Sequence, residues 1–187
     1  EHNLFSHEDK ILLGVSGGID SMAMLHLFLE TGISSGMAHV NFQLRGIESD
    51  EEQKFVEEFA RRHNLFFHTI NFNTKAYAEQ HNISVQVAAR ELRYSWFEKI
   101  RRENDYDWIA VAHNKDDVVE TFLINLSRGT GLRGITGIKP KQNKLIRPIM
   151  FARREDILNY CTQNQVEFRE DSSNQSTKYT RNRLRHN

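Results

Sequence analysis

An α/β fold with a doubly wound, mostly parallel five-stranded sheet is predicted by three observations. Short apolar, β-rich runs alternate with stretches of helical spacing along the chain. The runs are almost continuously apolar rather than alternating, as strands are when helices cover both faces of a sheet. A glycine-rich turn follows the first run directly, where a strand would pass into a helix.

The expected strands are, in order, KILLGVS (residues 10–16), GMAHVNF (36–42), FFHTINF (66–72), WIAVAH (108–113) and KLIRPIM (144–150). Thr31-Gly32 ends the first helix, because glycine adopts the left-handed conformation that closes helices. Ser49 followed by Glu52 predicts a capping box, with Phe55, Val56, Phe59 and Ala60 as the buried stripe of that helix. Val85, Ala89, Leu92, Trp96 and Ile100 predict a long amphipathic helix over about residues 84–103. Arg128-Gly129 marks another helix end, and Ile157, Leu158 and Cys161 mark a last helix.

Neither repeats nor a Pro-rich linker divide the chain, so 1–187 is read as a single domain. The 187 residues, 39% of them hydrophobic, suffice for one sizeable core. Only the end shifts in composition: 175–187 carries Lys178, Arg181, Arg183 and Arg185 and no acid. Lys+Arg and Asp+Glu are both 25, which excludes a global field of either sign. The longest apolar runs last about five residues, against roughly 18 for a membrane span. The opening EHNLFSHEDK lacks the build of a signal peptide. The lone Cys161 rules out an internal disulfide and a C-x-x-C metal or redox site. A soluble, cytoplasmic domain is expected, read as a piece of something longer because it begins with Glu and ends in a charged stretch.

The chemistry concentrates in SGGIDS: Ser16, Gly17, Gly18, Ile19, Asp20 and Ser21. Two glycines let backbone pass close to an anion, and the following helix offers unpaired N–H groups. The two serines add hydroxyl donors. Asp20 repels phosphate directly but suits a Mg²⁺ that bridges phosphate oxygens. No Gly-Lys-Ser/Thr follows, so the loop is not a Walker A motif. The plain alternative is a tight turn that needs glycine. A second cluster, His113, Asp116, Asp117 and Glu120, sits where a helix should begin, and spacings of three and four bring these residues onto neighbouring turns. An acidic first turn that only favours the helix dipole remains open for it.

SGGIDS resembles the S-G-G-x-D-S signature of the pyrophosphate-loop ATP pyrophosphatases. HVNFQLRG (39–46), QVAARELRYSWF (86–97), AHNKDDVVET (112–121), RGTGLRGITGI (128–138) and DSSN with RNRLR (171–174, 181–185) follow in order. Together the six resemble the tRNA(Ile)-lysidine synthase family over nearly the whole chain. Phe42 and Asn114 depart from the commoner pattern, which has His at both places.

The resemblance implies an adenine nucleotide alpha hydrolase-like fold that binds ATP and Mg²⁺ at the carboxyl ends of the strands. It implies a ligase in which the O2 oxygen of a wobble cytidine attacks the α-phosphate of ATP and pyrophosphate leaves. The side-chain amine of lysine then displaces AMP to give lysidine. Expected partners are tRNA(Ile) with a wobble cytidine, free lysine, ATP and, as a further expectation, a second copy of the chain; further tRNA-binding domains would lie outside this chain. By resemblance Arg93 meets the phosphates or the adenylated intermediate, His113 sits near the reacting centre, and Asp117 and Glu120 hold the lysine ammonium or a metal. An Arg90–Arg93 pair on a solvated helix face is the alternative for Arg93. Two other readings stand beside the ligase: another enzyme of the same nucleotide chemistry (tRNA thiolation or amide formation), and a non-catalytic adenine nucleotide-binding module.

Overall fold

The computed structural model describes residues 3–127, 129 and 137–169. Its elements are β1 (Ile11–Gly14), α1 (Ile19–Thr31), β2 (Ser35–Asn41), α2 (Ile47–Arg62), β3 (Phe66–Asn71), α3 (Thr74–His81), α4 (Val85–Glu103), β4 (Trp108–Val111), α5 (Lys115–Ser127), β5 (Lys141–Gln142), β6 (Leu145–Ile146) and α6 (Arg154–Gln163). One sheet runs in the order β3-β2-β1-β4-β6-β5. Every pairing is parallel except β5 with β6.

The expected α/β class holds, but the sheet has six strands rather than five. The added strand, β5, is a two-residue antiparallel edge. The predicted strand at 144–150 shrinks to Leu145–Ile146, because Pro148, which has no N–H for a ladder, follows one residue later and the chain turns.

The period of two in β1 divides the core. Ile11, Leu13 and Val15 join the cluster built with Met22 and Leu25 of α1, Val56 and Phe59 of α2, and Ile157 and Cys161 of α6. Leu12 joins the opposite cluster with Trp96 and Phe97 of α4. Each fully buried Leu, Ile or Met contributes roughly 1.5–3 kcal/mol, so β1, with helices on both sides, is the anchor of the fold. Gly36 of β2 lets Tyr106 pack against the sheet: a Cβ there would lie 1.9 Å from the Tyr106 hydroxyl oxygen.

The helix ends follow the sequence with one correction. Gly32 is left-handed at φ 65° and closes α1 with its N–H on the Leu29 carbonyl. Gly129, at φ 64°, donates to the Leu126 carbonyl at 3.0 Å. Ser84 caps α4 by accepting the Val87 N–H at 3.2 Å. Ser49, however, is not a helix cap. The helix begins earlier, after Gly46, and the Ser49 hydroxyl accepts the Arg45 N–H instead. A spacing of three reads the same one turn further along a helix, which is why the pattern misplaced the start. The stripe it announced is right: Val56, Phe59 and Ala60 are buried, and Phe55 packs against them. In the last helix Ile157 and Cys161 are buried while Leu158 is half exposed. Among the described residues no helix is long and apolar enough to cross a membrane.

Candidate active site

The chain leaves β1 for β2 on one side and later places β4 on the other, so a crevice opens between β1 and β4 at their carboxyl ends. A cleft of about 660 Å³ occupies that position, lined by the end of β1, the glycine loop, the end of β4, and residues of α4 and α6. That volume is in the range of small-molecule sites.

The glycine loop floors the cleft. Gly17 has φ 92°, and a Cβ would also meet Val56 at 3.3 Å, so both the backbone conformation and the packing favour glycine. Gly18 precedes α1 in extended conformation, and no side chain caps the helix there. The N-terminus of α1 thus turns to the cleft without a side-chain cap, and the Gly18 N–H meets the Ser16 hydroxyl oxygen at 3.4 Å. Ser21 does not act as the free donor expected of it: its hydroxyl donates to the Gly18 carbonyl at 2.9 Å and accepts the Ser16 N–H at 3.2 Å. Ser21 braces the loop, while Ser16 stays exposed on the cleft and Ile19 borders it.

Asp20 is held from two sides. Asn114 Nδ2 donates to one carboxylate oxygen at 3.2 Å, and Arg154 Nη1 donates to the other at 3.3 Å. Asn114, 1% exposed, links two helix starts. Its side-chain oxygen accepts the Asp117 N–H at 2.9 Å, and Asp117 accepts the Asn114 N–H at 3.1 Å, a reciprocal cap on α5. Asp116 accepts the Arg154 N–H at 2.7 Å and so ties α5 to α6.

Arg93 crosses from α4 to stand 5.0 Å from the centre of the Phe42 ring, in the cleft wall. Arg90 lies 4.9 Å from the Tyr94 ring, one turn away. Arg93 is open to solvent through the cleft but crowded by protein elsewhere. That desolvation lowers its pKa; Tyr94 opposes the shift and the Arg90 charge adds to it. Behind the loop, buried His39 donates Nδ1–H to the Val15 carbonyl at 2.9 Å. Burial, and secondarily the Arg93 charge, lowers its pKa against the opposing pull of that hydrogen bond.

Three of the five expected catalytic residues, Asp20, Arg93 and His113, border the same cleft. Asp117 and Glu120 do not border it. Asp117 is turned to the Asn114 N–H, and Glu120 is buried one turn on. Three contributors escaped sequence reasoning. Asn114 had a signal in N-x-x-D, which has the capping-box spacing. Arg147 is a charge inside an apolar run, a hint of a buried role. Arg154 carries no local sign. The DSSN and RNRLR motifs, most of RGTGLRGITGI and the basic segment 175–187 lie outside the described residues.

Among the described residues no group of three His, Cys, Asp or Glu side chains could hold a metal ion. Among the described residues that line the cleft Asp20 is the one carboxylate, so it is the residue that could meet an Mg²⁺ carried in on nucleotide phosphates.

A PP-loop domain model matches residues 2–187. The tRNA(Ile)-lysidine synthase of Bacteroides thetaiotaomicron is 44% identical over 187 residues, covering 100% of this chain and 44% of that protein. The tRNA(Ile)-lysidine synthase of Bacillus subtilis is 41% identical over 192 residues, covering 99% of this chain and 41% of that one. The chain therefore spans about two fifths of the length of these curated relatives. Among solved structures, the U34-tRNA thiolase NcsA from Methanococcus maripaludis with its [4Fe-4S] cluster superposes with a TM-score of 0.77 at 19% identity, over 98% of this chain and 65% of that one. The NH3-dependent NAD synthetase from Campylobacter jejuni gives 0.59 at 17%, over 86% and 66%. At those identities the structures establish a shared fold.

Proposed function

The chain belongs to the PP-loop domain family, and from that premise we propose that it is the ATP-using catalytic domain of a tRNA(Ile)-lysidine synthetase. Its reaction would be adenylation of the wobble cytidine of tRNA(Ile) with release of pyrophosphate, then attachment of free lysine to give lysidine. The observation that carries this reading is the convergence of Asp20, Arg93 and His113 on one cleft above the glycine loop. Support comes from curated relatives of that name, 40–44% identical across the chain from the Bacteroides and Clostridium proteins.

Adenylation concentrates negative charge on the α-phosphate and on the departing pyrophosphate, so the site must supply donors and cations. The uncapped start of α1 and the glycine backbone would receive phosphate oxygens. Arg93 and Arg154 would place guanidinium charge on opposite walls. Asp20 would hold Mg²⁺ once the nucleotide draws Arg154 away, and the bound ion would neutralise charge on the leaving group. Asp117 and Glu120 are proposed for the lysine ammonium, beyond the nucleotide cleft. A cytoplasmic location and a second copy of the chain are proposed with it, the latter to be tested by light scattering.

Thiolation is the weaker reading although a thiolase shares the fold. The one cysteine, Cys161, is buried on the core side of α6, and burial followed by the nearby Asp20 charge pushes its thiol up to about 11. A thiol so protonated is a poor nucleophile. The deciding experiment is radiolabelled pyrophosphate release from ATP with tRNA(Ile) and lysine supplied in turn. Release that requires tRNA(Ile), followed by lysine incorporation, supports the ligase. Nucleotide binding without release points to a binding module.

A further inference from the structure

We propose that Arg147 is a positioning residue that holds His113 as its neutral Nε2–H tautomer, so that His113 donates a hydrogen bond to phosphate charge in adenylation and does not serve as a general base in that step. The inference rests on the proposed adenylation for its catalytic half and on geometry for the rest. Arg147 is 4% exposed, and its side-chain partners among the described residues are a carbonyl and an imidazole, not a carboxylate. Its Nη1 donates to the Lys139 carbonyl and its backbone N–H to the Pro140 carbonyl. Its Nε lies 3.1 Å from His113 Nδ1.

A guanidinium has donors only. His113 Nδ1 must therefore present its lone pair to Arg147, and the one ring proton of a neutral imidazole resides on Nε2. Turning the ring over would set a C–H against the Arg147 N–H and lose the bond, so the partner dictates the assignment. A second proton on the ring would aim two donors at each other in a buried setting. Arg147 stands behind the cleft wall, whereas the His113 ring lines the cleft with Asp20, Arg93 and Arg154. A nitrogen that already carries its proton cannot accept another. Adenylation asks for none: the attacking O2 of cytidine is a carbonyl oxygen and loses no proton. A buried cation without a carboxylate is costly, and here it both sets the ring and adds positive potential beneath the anion.

Nitrogen-15 spectra of histidine-labelled protein near neutral pH test the tautomer directly. The expected spectrum shows His113 with an unprotonated Nδ1 and a protonated Nε2. Arg147→Met should yield mixed tautomers or imidazolium, and Arg147→Lys, which still donates, should restore the original form. A wild-type Nδ1–H or imidazolium, or an unchanged tautomer in Arg147→Met, would overturn the proposal. If Arg147→Met does not fold, the wild-type spectrum and a His113 series decide. His113→Gln keeps an N–H near the place of Nε2 and should stay within about tenfold of the parent rate of pyrophosphate release. His113→Ala should lose about 10²–10³-fold, the usual cost of one donor to a developing oxyanion. Equal loss in both variants refutes the donor role. A full rate in His113→Ala refutes the placement of His113 at the reacting centre, while the tautomer is still judged by the spectrum.

Discussion

The backbone N–H of Arg169 donates to the carbonyl of Gly17 at 2.9 Å, so the chain beyond α6 crosses the glycine loop. The Arg169 guanidinium also reaches Glu51 of α2 at 2.8 Å. Arg169 thus stands at the rim of the cleft.

Lys178, Arg181, Arg183 and Arg185, in a stretch with no acid, are expected to face tRNA phosphates. If all four displace counterions, truncation after Asn174 should reduce the log–log salt slope of tRNA binding by roughly three units. Filter binding over a salt series measures it. An unchanged slope assigns the segment no phosphate contact, and lost ATP affinity with intact tRNA binding places it over the nucleotide.

Asp20→Ala should lower pyrophosphate release at saturating Mg-ATP by more than about 10²-fold. Stability should change little, because the carboxylate is partly exposed and its ion pair with Arg154 is solvated. A near-parental rate would remove Asp20 from the chemistry.

Asp117 combines a cap with a charge, and two substitutions separate them. Asp117→Ala should cost about 1 kcal/mol, lowering Tm by about 2–4 °C in a chain of this size. Asp117→Asn keeps an oxygen for the Asn114 N–H and removes only the charge. Asp117→Asn and Glu120→Gln should raise the KM for lysine about ten- to hundredfold and that for ATP far less. Equal effects on both substrates would indicate a shared metal instead.

Acid should weaken the fold through His39. Its folded pKa lies below the ordinary 6.5, chiefly through burial. The unfolded chain therefore binds the proton first, and stability falls as pH drops below 6.5 toward the folded value, by up to about 1.4 kcal/mol per pH unit. Denaturant melts across this range should flatten in His39→Gln. Glu98, held down to about 2 first by its Arg101 hydrogen bond, acts lower: its stabilisation is complete above 4.5 and is lost as pH falls toward 2.

Local signals in the sequence determined the strand order along the chain, the glycine turn, the long helix after Ser84 and both glycine helix ends. They succeed because hydrophobic period and backbone conformation are properties of a few adjacent residues. The same locality misplaced the Ser49 cap by one helical turn, and it announced a full strand where Pro148 permits two residues. Arg154 reaches Asp20 across 134 positions, and Arg147 reaches His113 across 34. No periodicity links such pairs. They meet because β1 lies between β2 and β4, and because helices on opposite faces of the sheet deliver their ends to one crevice. Tertiary packing alone decided that Arg154 meets Asp20, that Asp116 ties α5 to α6, and that a buried arginine meets the ring of His113.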